Sequence, residues 1–118
     1  MAAKDVLGRR GEDLAAQYLQ QRGMVILSRN WRCRDGELDL IVTDGGELVV
    51  CEVKTRSGAR FGLPAEAVDH RKTRRIRRLA QAWMTAHGVR WCPVRFDVLA
   101  IIAEPGREPV LTHYESAF

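Results

Sequence analysis

Residues 48–55 read LVVCEVKT, a run of apolar and β-branched side chains interrupted by an acid and a lysine two positions apart. A strand that is apolar on both faces is normally central in its sheet and covered twice. The chain must therefore lay structure, ordinarily helices, against both sides of this segment. Strand side chains alternate, so Glu52 and Lys54 share one face about 6.6 Å apart, while Cys51 and Val53 turn the other way. An acid and a lysine in such a strand are costly to bury unless they are paired or hold a metal.

The remaining segments supply the rest of an α/β sandwich. Residues 5–22 repeat apolar or small side chains at Leu7, Gly11, Leu14, Ala15 and Tyr18, the spacing of a helix that buries one stripe. Asp5 is placed to cap its start and Gly23 to end it. Met24–Arg29 reads as a short strand, and residues 30–34 as either the end of that strand or a loop. Leu38–Thr43 is a stronger strand, joined to 48–55 through Asp44-Gly45-Gly46, a sequence suited to a tight hairpin. Residues 56–68 contain two glycines and a proline and read as an irregular crossover.

A second helix is expected over about 70–87, capped by Asp69 and stopped by Gly88. Ile76, Leu79, Ala80 and Trp83 form its apolar stripe, with His87 continuing that face. Arg71, Arg74 and Arg78 project from the opposite side, Arg75 and Arg77 flank it, and Lys72 lies nearer the apolar edge. Val94–Ala103 is a long strand, and Pro109–Tyr114 a further one at the sheet edge. The order is α-β-β-β-α-β-β around a mixed sheet, in one domain spanning 1–118; 118 residues suit one core.

Charge narrows the partners. The net charge is +4, yet Glu52 to Arg78 holds nine basic residues and three acidic ones, so the whole basic excess sits in one region. That asymmetry suits a polyanion. No apolar run is long enough to cross a bilayer, and no secretion signal is evident, so a cytoplasmic location without a membrane partner is expected. Cys33, Cys51 and Cys92 contain no CxxC and read as reduced thiols; the histidines show no zinc-ligand spacing.

The carboxylates carry the chemistry. In GELDLIV at 36–42, alternation puts Glu37, Asp39 and Ile41 on one face and Leu38, Leu40 and Val42 on the other. The hairpin can bring Asp39 to Glu52 if both occupy the same face of the sheet. Two such acids repel unless a proton, a basic side chain or a cation lies between them. They offer hard oxygen ligands suited to Mg2+ or Mn2+, and Lys54 beside them could stabilise phosphate charge or orient a water. Glu12, at the border of the first helix's buried stripe, is a fourth candidate. On the residues alone, the cluster fits a structural salt-bridge group as well as metal-dependent catalysis.

The chain resembles the bacterial YraN-like family of small predicted endonucleases. The resemblance rests on GRRGEDLAAQYL at 8–19, NWRCRDGELDLI at 30–41, VVCEVKTR at 49–56, FGLPAEAV at 61–68 and RFDVLAI at 95–101. Glu12, Asp39, Glu52 and Lys54, in the order helix, strand, strand, are similar to the catalytic set of the PD-(D/E)XK nucleases, with Leu38 where the nominal signature has proline.

The resemblance implies a restriction-endonuclease-like fold and divalent-ion-dependent hydrolysis of DNA, with branched or flapped DNA as substrate and RNA not excluded. Asp39, Glu52 and the Val53 carbonyl would hold Mg2+ or Mn2+, Glu12 would reach the ion directly or through water, and Lys54 would assist the attacking water. Arg56, Arg60, Arg71, Lys72, Arg74, Arg75 and Arg78 are the expected phosphate contacts. Similarity to archaeal Holliday junction resolvases also implies a homodimer. The alternative is a nucleic-acid-binding protein that keeps the fold with weak or no turnover.

Overall fold

The computed structural model describes residues 3–58 and 69–118. The element order is α1 (Ala3–Gln21), β1 (Val25–Cys33), β2 (Gly36–Thr43), β3 (Leu48–Arg56), α2 (His70–Ala86), β4 (Val94–Ile102) and β5 (Val110–Tyr114). The five strands form one mixed sheet in the order β1-β2-β3-β4-β5. Neighbours run antiparallel except β3 and β4, which are parallel in an unbroken register from Leu48↔Val94 to Arg56↔Ile102. The doubly apolar β3 is thus the central strand. Residues 59–68, which include Arg60 and the whole FGLPAEAV string, lie outside the described residues.

Each helix covers one face. Ala15, Ala16 and Leu19 of α1 pack on Leu40, Val42, Val49, Cys51, Leu99 and Ile101. Ile76, Leu79, Ala80, Trp83 and Met84 of α2 pack on Leu38, Ile41, Leu48, Val50 and Phe96. The small residues of α1 let it lie close. A Cβ on Gly11 would stand 1.9 Å from Thr55 Oγ1, so only glycine fits there without a shift. The α2 cap is Asp69, whose side chain accepts from the Lys72 N–H at 2.9 Å. Trp83 is buried and donates its indole N–H to Ser28 Oγ at 2.9 Å, and His87 stacks on it.

Two expectations need correction, and one open choice between strand end and loop is decided. Helix α1 begins at Ala3, so Asp5 lies inside its first turn and is not the cap; Ala3 and Lys4 are good helix formers and extend it backwards. Residues 30–33 are strand, with Asn30 in the left-handed region at φ 51. The strict alternation assumed for β2 fails at Asp39: Leu38 packs with Ile41 under α2, whereas Leu40 and Val42 pack under α1. The slip coincides with the end of the β2–β3 ladder, whose last pair is Leu40↔Cys51, while β2 continues alongside β1 to Gly36↔Cys33. The sheet therefore forks at Asp39.

A buried polar cluster closes the other side of the sheet. Asp97 is fully buried; it accepts from Arg95 Nε and Nη2, both at 2.9 Å, from His113 Nε2 at 2.6 Å and from the Ser116 N–H at 3.0 Å. Arg95 also reaches Glu47 at 2.9 Å, and His113 Nδ1 meets the Tyr18 hydroxyl at 3.0 Å. Burial pushes the Asp97 carboxyl up, but Arg95, His113 and the Ser116 N–H outweigh it and hold the group below its ordinary value. This acid is satisfied by its own surroundings and serves the fold.

The approach of α1 to β3 can be tested at Gly11. Gly11→Ala should destabilise the protein by about 1–3 kcal/mol through overpacking, and Thr55→Ala in the same chain should recover part of that loss. Urea denaturation followed by circular dichroism reads both; an unchanged midpoint in Gly11→Ala would remove the tight contact.

Candidate metal and phosphate site

The site begins with a backbone need. Where β2 leaves β3, the Val53 N–H loses its strand partner, and Asp39 Oδ2 accepts it at 2.9 Å. That bond holds the Asp39 carboxylate in the fork, beside Glu52. The Glu52 side chain is buried, with a residue exposure of 6%, and lies near enough to Asp39 for that neighbour's charge to act on it.

The electrostatics follow from burial. Desolvation first, then the neighbouring Asp39 charge, push Glu52 up to about 7; Lys72 and Lys54 only partly offset this. Asp39 is also raised, chiefly by burial, against the opposing Val53 N–H bond and with a further upward push from Glu12. Lys54 is lowered by its own burial and then by Lys72, which approaches it. The pair of acids is thus short of compensating charge.

Glu12 and Glu37 complete an acidic group. One carboxylate oxygen from each of Glu12, Glu37 and Asp39 falls within 4.8 Å of the others, a spread that hard oxygen ligands around one divalent cation can match. Glu12 is delivered by α1, whose seat on Thr55 at Gly11 sets its height above the sheet. Glu37 was not among the residues singled out for the site, although its i,i+2 relation to Asp39 was visible. It is held by Arg32 Nε at 2.8 Å. The structure therefore joins Glu12 to Asp39 and Asp39 to Glu52, with Glu37 added; Glu52 itself lies outside the convergent trio.

The basic residues divide. Lys72, expected at phosphate, turns inward, with Nζ 4.0 Å from Glu52 Oε2; its place at the apolar edge of the first turn of α2 aims it at the sheet. Arg71, Arg74, Arg75 and Arg78 remain exposed and, with Asp69 and Lys72, line an open concavity of about 530 Å³. Arg56, at the end of β3, is half-buried and donates to the Thr55 carbonyl at 3.3 Å. Arg77 is used otherwise, its guanidinium lying 4.8 Å from the Phe96 ring centroid. Cys33, Cys51 and Cys92 are free thiols, and burial pushes Cys51 up.

A five-stranded α/β sandwich with acids and lysines at a fork in its sheet, next to an arginine-lined hollow, defines the class of protein. Residues 11–101 match the family described as Uncharacterised protein family UPF0102. The chain belongs to that family, the YraN-like family of its sequence motifs. It is 57% identical over 119 residues to a UPF0102 protein of Frankia casuarinae, covering all of both chains. It is 52% identical over 118 residues to one of Rhodococcus jostii, again covering all of both. A UPF0102 protein of Acidothermus cellulolyticus is 50% identical over 127 residues, covering 99% of this chain and 96% of that one. Among the described residues no helix is long and apolar enough to cross a membrane.

The raised acid gives a pH prediction for the metal-free protein. With Glu52 at about 7 against an ordinary 4.5, the folded chain keeps a proton that the unfolded chain releases. The site's contribution to stability is therefore present below pH 4.5 and is lost as pH rises through 7. The Tm of the wild type relative to Glu52→Gln, measured in chelator, should fall steadily across that interval. A difference that stays constant from pH 4.5 to 8 would contradict the shift.

Proposed function

We propose that this chain is a divalent-ion-dependent endonuclease of the PD-(D/E)XK type, hydrolysing DNA phosphodiester bonds, with branched or flapped DNA as the preferred substrate. The observation that carries the reading is the fork itself: at the end of a shared ladder Asp39 bonds the Val53 N–H, next in the chain to the buried Glu52, with Lys54 one turn of the strand pleat beyond and the arginine hollow alongside. An acid pair left short of positive charge inside a protein is arranged to receive a cation. In that respect it contrasts with Asp97, whose charge is fully met by its neighbours.

Asp39 and Glu52, with the Val53 carbonyl, would hold Mg2+ or Mn2+, and Glu12 and Glu37 extend the oxygen ligand supply on the α1 side. When bound, the ion supplies a more acidic water and charge stabilisation at phosphorus. The chain's own residues do the remainder. Lys54, made less basic by burial and by Lys72, orients the attacking water and meets the charge that builds on the phosphate. Lys72, ion-paired with Glu52, is available to move to a phosphate oxygen once Glu52 has another countercharge. Arg71, Arg74, Arg75 and Arg78 hold the backbone through phosphate contacts that carry no sequence information.

The test is a panel of single-stranded, duplex, flap and four-way DNA, with structured RNA, incubated with Mg2+ or Mn2+. The wild type should cut at least one substrate, and the Asp39→Asn/Glu52→Gln protein none. Lys54→Ala should lower turnover more than binding. Tight binding without any cleavage above the double variant would favour a non-catalytic nucleic-acid-binding protein, and cleavage that survives the double variant would refute the site. Replacing Arg71, Arg74 and Arg78 together by alanine should cut the slope of log affinity against log salt by about 2–3. An unchanged slope would remove the α2 face as the binding surface.

A further inference from the structure

Trp91 stands 86% exposed, which is rare for the largest apolar side chain. The chain's other two tryptophans show what packing looks like here: Trp83 is buried with its N–H bonded to Ser28, and Trp31 is half-buried against the α2 core and His87. Trp91 joins neither apolar core, although its neighbours Val89 and Cys92 pack against one. The backbone on either side is fixed. The Val89 N–H donates to the Met84 carbonyl at 2.9 Å, and the Pro93 carbonyl accepts the Leu48 N–H at 2.8 Å. The indole is therefore presented to solvent by a short, anchored connection, with the exposed Arg90 before it.

Its place in the fold relates it to the proposed site. Trp91 precedes β4, whose Val94 pairs with Leu48 at the end of β3 away from Glu52 and Lys54. Helix α2 links the two ends: Lys72 touches Glu52, and from Lys72 to Ala86 the helix rises about 21 Å. Arg71, Arg74, Arg75 and Arg78 lie near the end of α2 that meets the acids, and Arg90 and Trp91 follow its other end. That separation corresponds to about six base pairs of duplex. The arginines at the first end of α2 call for a polyanion, and the exposed indole with Arg90 beyond the other end calls for a flat apolar group carried by that polyanion.

We infer that Trp91 is a stacking platform for an unpaired nucleobase, with Arg90 holding the adjacent phosphate, so that the substrate is a nucleic acid with a single-stranded portion next to a paired one. This rests on the nucleic-acid reading of the carboxylate site and narrows its substrate class. A base inside a duplex does not offer its face to a side chain, whereas a flap, bubble or strand end does. Stacking on Trp91 thereby selects such structures without reading sequence.

The experiment measures binding of labelled duplex, flap and single-stranded DNA in chelator, by fluorescence anisotropy, for the wild type, Trp91→Ala and Trp91→Phe. Trp91→Ala should bind flap and single strand about tenfold more weakly and duplex equally well, and Trp91→Phe should keep most of the affinity. Binding of single strand should quench tryptophan emission in the wild type but not in Trp91→Ala. Equal affinities across all three proteins, an equal loss on duplex and flap, or no recovery with phenylalanine would each overturn the inference. Its fate is separable from that of the nuclease reading. Selective loss in Trp91→Ala alongside cleavage that persists in Asp39→Asn/Glu52→Gln would keep the stacking platform and discard the catalytic site; the reverse pattern would do the opposite.

Discussion

The hydrogen bond from the Val53 N–H to Asp39 Oδ2 does work that a backbone carbonyl does elsewhere in the sheet. The β2–β3 ladder ends at Leu40↔Cys51, and without a replacement acceptor the next inward N–H of the central strand would be buried unpaired, at a cost of about 1–3 kcal/mol. Using a carboxylate for this purpose fixes an acid at a depth where acids are unfavourable. The rest of the fork is built around that substitution: Glu52 is buried one residue from the bonded N–H, both acids are raised, and Lys72 is drawn towards Glu52. Local backbone bookkeeping and the electrostatics of the site are one arrangement.

The two buried acids of the sheet show how context separates structure from chemistry. R-x-D at 95–97 and E-x-K at 52–54 are the same pattern, opposite charges two apart on one face of a strand. In the first, Arg95 folds back on Asp97 with two bonds and the cluster is saturated. In the second, the ion-pair partner of Glu52 is Lys72 from another element, at 4.0 Å, and Lys54 is left to be lowered by burial. A guanidinium on a strand can fork back two residues and satisfy both oxygens of a carboxylate, whereas an ammonium offers a point charge. The sequence pattern is shared by both acids; only the packed structure separates a closed cluster from an open one.

The fold was largely legible because its strongest signals are local and redundant. LVVCEVKT announced a central strand, Asp44-Gly45-Gly46 a hairpin, and the arc from Asp69 to Gly88 a capped helix with one apolar stripe; each agrees with the observed order and layers. Glu52 was legible as a candidate because it breaks an apolar strand, Asp39 because a hairpin sets it opposite, and Glu12 because it borders the buried stripe of α1. Register was not, since alternation counts residues and a ladder can slip where a strand leaves its neighbour, as at Leu38 and Asp39. Glu37 escaped notice because a strand-end acid beside an exposed arginine looks like any surface ion pair. The approach of Lys72 to Glu52 was not legible, because a helical wheel gives an angle and a lysine near the apolar edge can swing either way.

Arg77 shows that a helix's charge and its usable charge differ. Its guanidinium covers Phe96, whose ring stacks on Phe118 at 5.3 Å, while the Ala117 N–H donates to the Phe96 carbonyl at 2.8 Å. One cation of the most basic segment is thus a lid on the C-terminal residues. For a molecule threading past α2, the valence of the helix is lower than its composition advertises. A lysine at 77 would keep the net charge while giving up the flat contact that fastens the tail, so two sequences with identical electrostatic totals would differ in how firmly their last residues are held.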